Sequence, residues 1–142
     1  MGMIREIDLP VDHSALSVLE DWFTALFADA GWSSPGRVRT RIELATHEIC
    51  VNVVDHSGLT RCDRLHVRGA VDDHGVTVHV SDGGAVPDRT RMAVEPVPGV
   101  PQEGGYGLMI VRKLVDDFEH TREGTVNTWR LHVHRPPAGG GR

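Results

Sequence analysis

Apolar residues recur three and four positions apart in three segments of the chain. This spacing predicts helices over residues 15–30, 37–56 and 107–118. Asp12 or Ser14 is the expected N-cap of the first helix. The second helix has the most regular apolar stripe, which we expect to pack against a sheet. The members of that stripe are Ile42, Ala45, Ile49 and Val53.

Alternating apolar and polar residues predict strands between these helices. The first predicted strand covers residues 3–9 and ends before Pro10. A strand that starts at Leu65 turns at residues 72–75 into a returning strand. The last predicted strand, residues 125–134, carries its largest apolar side chains on one face. Those side chains are Trp129, Leu131 and Val133.

The predicted order of elements is β-α-α-β-β-α-β, with a long segment rich in proline and glycine before the third helix. Helices paired on one face of a mixed, mostly antiparallel sheet make an α/β (α+β) two-layer sandwich. An irregular segment of about 20 residues is uncommon inside a compact domain and usually covers a binding site. We therefore expect residues 84–105 to act as a mobile lid.

Length and charge narrow the classes of function. The chain has 142 residues, with 15 Lys and Arg against 20 Asp and Glu, so its formal net charge is -5. This length predicts one domain over residues 1–142, with a core at 3–134 and a flexible tail at 135–142. The mild acidity argues against direct binding of nucleic acid, which needs a basic surface.

The first ten residues and the cysteines indicate the compartment. Arg5, Glu6 and Asp8 stand where a signal peptide would have an apolar run, and no segment approaches the roughly 20 apolar residues of a membrane span. Cys50 and Cys62 form no CxxC pair, so we expect reduced thiols. The sequence therefore predicts a cytoplasmic protein without a membrane partner.

The second predicted helix carries a polar pair within an apolar setting. Glu48 and Asn52 are four residues apart and share one helix face, with Asp55 nearly in line. A carboxylate beside an amide oxygen can hold Mg²⁺ or orient a nucleophile. A solvated polar face is the alternative interpretation. His47 and Glu48 begin like the zinc motif HExxH, but Val51 stands where its second histidine would be, which excludes that motif.

Two glycine-rich segments follow. Asp82 ends a predicted strand, where its carboxylate can accept a hydrogen bond from an exocyclic amine such as that of adenine, and Gly84 allows a flat ring to approach the backbone. Gly105, Gly107 and Leu108 open the third helix, whose N-terminal amides can bind an anion. An ordinary turn and a flexible loop before a helix are the respective alternatives.

In this order, the three segments resemble the motifs of the GHKL ATP-binding superfamily. Residues 48–56 resemble its N-box, residues 82–84 its first glycine box, and residues 105–108 its second. The resemblance covers about residues 5–134. We expect no helical hairpin with a phosphoacceptor histidine before residue 10. Within the superfamily, the chain is therefore most similar to the bacterial anti-sigma-factor serine/threonine kinases.

The resemblance implies a role for each matching residue in binding ATP and Mg²⁺. Glu48 would be the catalytic base that activates a serine hydroxyl, and Asn52 would coordinate Mg²⁺. Asp82 would bind the adenine amine, and Gly84 would allow close approach of the ring.

The second glycine box and the last strand would complete the nucleotide site. Backbone amides of Gly105, Gly107 and Leu108 would contact the phosphates. A threonine of the last strand would lie near adenine, either Thr125 or Thr128, and we favour Thr128.

The resemblance also implies partners. The kinase would phosphorylate a STAS-domain anti-anti-sigma protein, sequester a sigma factor in its other state, and form a homodimer. The alternative is a non-catalytic module of the same fold that binds a sigma factor or another regulator. Glu48 and Asn52 favour the enzyme, because a binding module needs neither. Val86 favours the module, because it replaces the second glycine of the first glycine box.

Overall fold

The computed structural model describes residues 2–85 and 106–137. Residues 86–105 of the predicted lid, with Val86 and Gly105, and residues 138–142 of the predicted tail lie outside the described ranges. The described strands are β1 (Met3–Pro10), β2 (Arg64–Asp72), β3 (Gly75–Asp82), β4 (Asp117–Glu123) and β5 (Val126–His134). The described helices are a 3₁₀ helix (His13–Ser17), α1 (Val18–Asp29), α2 (Gly36–His56) and α3 (Tyr106–Leu114).

The five strands form one sheet in the order β1-β2-β3-β5-β4, and every neighbouring pair is antiparallel. The helices pack on one face, which confirms the predicted two-layer α+β class. The parallel component of the expected mixed sheet is not found among these strands. No helix within residues 2–85 and 106–137 has the length and apolar character to cross a membrane.

The predicted stripe of α2 is confirmed as the centre of the core. Ile42, Ala45 and Ile49 are fully buried, and Val53 is nearly so. They face alternate residues of the sheet that are also buried, and each large aliphatic side chain buried in this way contributes about 1.5–3 kcal/mol. The buried strand residues include Val67, Val78, Val80, Leu131 and Val133.

Gly69 sets how closely α1 approaches the sheet. A Cβ atom at this position would lie 2.7 Å from Cη2 of Trp22 and 2.8 Å from Cδ2 of Leu26. Real Cβ atoms essentially never come this close to a neighbour. The missing side chain in the middle of β2 therefore lets α1 lie directly on the strand.

The start of the first helix differs from the prediction. A 3₁₀ helix over His13–Ser17 precedes α1, so the α-helical part begins at Val18 and not at residue 15. Neither expected cap binds the helix backbone, because the Ser14 hydroxyl donates instead to the Asp12 carboxylate at 2.7 Å. Tight 3₁₀ turns are common at the N-terminus of an α-helix.

The third helix is shorter than predicted, and a strand replaces its last turn. The α3 helix ends at Leu114, where the Arg41 guanidinium donates to the Leu114 carbonyl at 2.7 Å. The chain then joins β5 through the Asp116 amide, which donates to the His132 carbonyl at 2.8 Å. Phe118, predicted to end the helix, lies in β4 and stacks on Trp129.

The outer face of the sheet, opposite the helices, is polar. The strand register places one row of side chains across all five strands, with carboxylates at both edges and arginines beside the centre. Burial, with the neighbouring arginines, lowers the pKa of the central histidine, which favours its neutral form at pH 7. In sheet order this charged row is Glu6, Arg68, His79, Arg130 and Glu119.

His66 joins β2 to the edge strand β1. Its Nδ1 lies 2.7 Å from the Asp8 carboxylate, and its Nε2 lies 2.7 Å from the Glu6 carboxylate. The hydrogen bond to Asp8 and then the one to Glu6 raise the pKa of His66. Only the protonated imidazole can donate to both carboxylates.

This arrangement predicts a pH-dependent contribution to stability. The histidine pKa is raised on folding, so the stabilisation is fully present below about pH 6.5, its ordinary value, and is lost as pH rises through the folded value. The difference in unfolding free energy between wild type and His66→Ala should therefore shrink between about pH 6 and pH 9. Denaturant melts at several pH values measure it, with His74→Ala in the exposed β2–β3 turn as control. A gap that stays constant over this range would contradict the prediction.

Candidate functional site

Asp82 is a buried carboxylate at the C-terminal end of β3. Its residue is 5% exposed, because it follows the alternation that points Val78 and Val80 into the core. One oxygen accepts hydrogen bonds from the Gly84 amide at 2.8 Å and from Asn127 Nδ2 at 3.2 Å. The other accepts a long bond from Trp129 Nε1 at 3.4 Å. A buried carboxylate needs such donors to offset its lost hydration.

Asn127 lies directly opposite Asp82 in the β3–β5 register and is 1% exposed. Its Nδ2 group shares its hydrogens between Asp82 and the carbonyl oxygens of Gly84 and Ala85, at 3.1–3.3 Å. Its Oδ1 accepts from Arg122 at 3.0 Å and lies 3.1 Å from His120 Nε2. Both polar atoms of this buried amide are therefore used.

The structure does not bring Thr128 to Asp82. Thr128 lies on the outer face, where its hydroxyl is 3.3 Å from the Ser81 hydroxyl. Thr125 lies in the exposed turn between β4 and β5. The alternation that correctly placed Trp129 on the buried face also places Asn127 there, so this signal was present in the sequence.

Gly84 packs against the end of α2, where Ser57 is the C-cap. The Ala85 amide donates to the Ser57 carbonyl at 2.9 Å. A Cβ atom on Gly84 would lie 2.5 Å from Ser57 Cβ and 2.9 Å from the Asp82 carboxylate. The segment after β3 is therefore held against α2 only because residue 84 has no side chain.

Asp82 lies near Cys50, which is on the buried face of α2. Burial, with a contribution from the nearby Asp82 charge, raises the pKa of the Cys50 thiol to about 12. The thiol is therefore protonated at neutral pH and unreactive. One turn earlier on the same face, the buried Thr46 hydroxyl has no partner among the described residues.

Glu48 and Asn52 lie one turn apart on the flank of α2, and both are partly buried. Asn52 Nδ2 donates to the Glu48 carbonyl at 3.1 Å, which accommodates an asparagine in mid-helix. Within the described residues, the Asn52 side-chain oxygen and the Glu48 carboxylate have no partner. Asp55, nearly in line with them in the sequence, instead pairs with His13 at 2.7 Å.

The third predicted segment is described in part. Gly107 lies in the first turn of α3, and the Leu108 side chain is buried in the core, so only its backbone can face a ligand. Arg41 fixes the other end of α3 against α2 through Leu114 and Asp116. Gly105 lies outside the described residues.

The two neighbouring residues Asn127 and Thr128 allow a matched test of the buried network. Asn127→Ala should lower the unfolding free energy by about 1–3 kcal/mol, because the Ala85 carbonyl and Asp82 lose a donor. Thr128→Ala should change it by no more than about 0.5 kcal/mol, because its one side-chain bond is on the partly exposed outer face. Denaturant melts measure both, and equal effects would contradict the network.

Comparisons with known proteins agree with this architecture. The crystal structure of the RsbU and RsbW domains of Rv1364c from Mycobacterium tuberculosis is similar over 94% of this chain, with a TM-score of 0.66 and 18% sequence identity. At this low identity the likeness shows a shared fold alone, and this chain spans 33% of the length of that chain. No curated protein is detectably similar in sequence. Residues 9–132 match the family model described as a histidine kinase-like ATPase domain. Since that match covers well over half of its residues, this chain belongs to the histidine kinase-like ATPase domain family.

Proposed function

We propose that this protein is an ATP-dependent protein-serine kinase that phosphorylates a STAS-domain anti-anti-sigma protein and holds a sigma factor in its other state. Membership of an ATPase domain family implies ATP binding. The observation that carries the proposal is the buried Asp82 beside α2, the helix whose flank presents Glu48 and Asn52 without described partners.

The Asp82 environment suits an adenine ring. One carboxylate oxygen is saturated by Gly84 and Asn127, but the other has only the 3.4 Å bond from Trp129. That second oxygen keeps the capacity to accept a hydrogen bond from an exocyclic amine. Gly84 would act less directly: its missing side chain lets the segment after β3 pack against Ser57, which would hold the backbone in place beside the ring.

The donor set on α2 suits Mg²⁺. Mg²⁺ prefers oxygen ligands and keeps several waters, so one amide oxygen with a nearby carboxylate is a sufficient protein contribution. The back-bond of the Asn52 amide nitrogen to the helix leaves its oxygen as the outward ligand. Asn52 would hold the ion, and Glu48, one turn away, would accept the proton of the attacking serine hydroxyl.

The start of α3 would bind the phosphates. Free amides at a helix N-terminus and the positive end of the helix dipole favour anions. Gly105, Gly107 and Leu108 would contribute backbone amides there. Bound Mg·ATP supplies the phosphoryl group and neutralises charge, so the protein contributes mainly positioning and exclusion of water.

The partner assignments rest on the motif resemblance and on the fold. The similar structure contains a domain named RsbW, and the motif order is that of anti-sigma kinases. We propose that the functional unit is a cytoplasmic homodimer that exchanges a sigma factor for a STAS-domain protein. Nucleotide state would bias which partner is held, and partner binding would in turn change nucleotide affinity.

One observation favours the alternative, a non-catalytic module of the same fold. Asp82 already accepts three hydrogen bonds within the protein and is 5% exposed. Such a carboxylate can serve as a structural group alone. In addition, Val86 replaces the second glycine of the first glycine box. The two functions differ in nucleotide binding and in phosphoryl transfer.

Calorimetric titration with ATP and ADP, with and without Mg²⁺, tests the nucleotide site. Wild type should bind more tightly with Mg²⁺, and Asn52→Ala should lose about tenfold in Mg·ATP affinity together with the metal dependence. Asp82→Asn should weaken both nucleotides, because a charge-assisted bond is lost. Asp73→Ala, an exposed carboxylate in the β2–β3 turn, is the control. If wild type binds neither nucleotide at millimolar concentration, the alternative module is correct.

Phosphoryl transfer tests the catalytic role separately. With radiolabelled ATP and STAS-domain proteins from the same organism, wild type should label one of them on serine. Glu48→Gln should slow transfer by about 10²–10⁴-fold while keeping nucleotide affinity, since only the base is removed. Asp55→Asn, on the same helix but paired with His13, should transfer normally. Unchanged transfer by Glu48→Gln would remove Glu48 from the mechanism.

A further inference from the structure

Three side chains with metal-binding groups meet at one corner of the outer face. Asp117 in β4 lies opposite His132 in β5, and His134 follows two residues later on the same face of the strand. One ligand atom from each residue can be chosen so that all three lie within 4.8 Å of one another. The proposed nucleotide site uses none of these residues.

The distances among these groups approach those of a metal site. His132 Nε2 lies 3.0 Å from His134 Nδ1, and His134 Nε2 lies 4.0 Å from the Asp117 carboxylate. Two imidazole nitrogens bound to one tetrahedral zinc ion at about 2.0–2.1 Å would be about 3.4 Å apart. These two distances use different nitrogens of His134, so its ring must turn to bring one nitrogen to both partners; the side chains of His134 and Asp117 are 62% and 53% exposed and have the room to do so.

The His132 ring is already oriented by a neighbour. Its Nδ1 lies 2.7 Å from the Thr77 hydroxyl, directly across the β3–β5 pair. Metal-binding histidines usually use one ring nitrogen for such a bond, which fixes the ring and leaves the other nitrogen for the metal. The same arrangement leaves Nε2 of His132 facing His134.

The backbone is also held in place at this corner. The His134 amide donates to the Asp116 carboxylate at 2.7 Å, which fixes the end of β5 against the segment before β4.

We propose that Asp117, His132 and His134 bind one divalent transition-metal ion of the zinc class, which ties the edge strand β4 to β5. Two imidazoles with one carboxylate select zinc-class ions over Mg²⁺, which prefers oxygen ligands alone. The site is separate from the Asp82 network. It lies on the opposite face, and His134 is seven positions along β5 from Asn127, or about 23 Å at the rise of a strand.

Calorimetric titration of the tag-free full chain with ZnCl₂, in a buffer that does not chelate zinc, tests the proposal. Wild type should bind one zinc per chain, and His132→Ala and His134→Ala should each weaken binding at least about tenfold. Zinc should also raise the thermal midpoint of wild type but not that of His134→Ala. His134 is exposed, so this variant keeps the core intact.

Two control variants show whether the ion is bound elsewhere. His79→Ala removes another histidine of the outer face, and Cys62→Ser removes the exposed free thiol. Both variants should bind zinc as wild type does. In a separate measurement, Co²⁺ bound to wild type should give the visible absorption of an ion with nitrogen and oxygen ligands, and His134→Ala should not give it. The proposal is overturned if wild type binds no zinc at millimolar concentration, if His134→Ala binds as tightly as wild type, or if Cys62→Ser abolishes binding.

Discussion

The Asp82 carboxylate lies in the protein interior where β3 ends, and it can stay there only while donors reach it from several directions. The backbone after β3 supplies one donor, and β5 supplies the Asn127 amide and the Trp129 indole. Arg122 in β4 donates a hydrogen bond to the side-chain oxygen of Asn127 and so holds that amide in place. Since a buried charge without partners is strongly destabilising, the same contacts that create the candidate site also fix β3, β4 and β5 relative to one another.

The two faces of the sheet differ in where their polar residues lie. The inner face is mostly apolar, and its buried polar residues, Asp82 and Asn127, lie together near the end of α2. The outer face keeps its polar residues in cross-strand rows, including the His66 pairs and the Asp117–His132 corner. The proposed nucleotide site and the proposed metal site therefore lie on opposite faces, so a substitution in one makes no direct contact with the other.

Much of the fold could be predicted from local patterns, and the errors have physical causes. The α2 stripe was confirmed because four apolar residues at helical spacing must face one core. The β4 strand was missed because it is a polar edge strand, in which Phe118 alone has a large apolar side chain and continues the helical spacing of α3. The choice between Thr125 and Thr128 followed a family pattern and left out Asn127, which the strand alternation places on the buried face beside Asp82.

The charged row of the outer face has a symmetry of its own. From either edge it reads negative, positive, neutral, positive, negative, through Glu6, Arg68, His79, Arg130 and Glu119. A second copy laid face to face on the central strand would therefore meet like charges whichever way round it is turned. Such repulsion is about 1 kcal/mol per pair at 4 Å in water and grows as water is expelled. This symmetric charge order disfavours centred stacking of two sheets. Electrostatics instead favours offset arrangements, in which an edge carboxylate lies over an arginine.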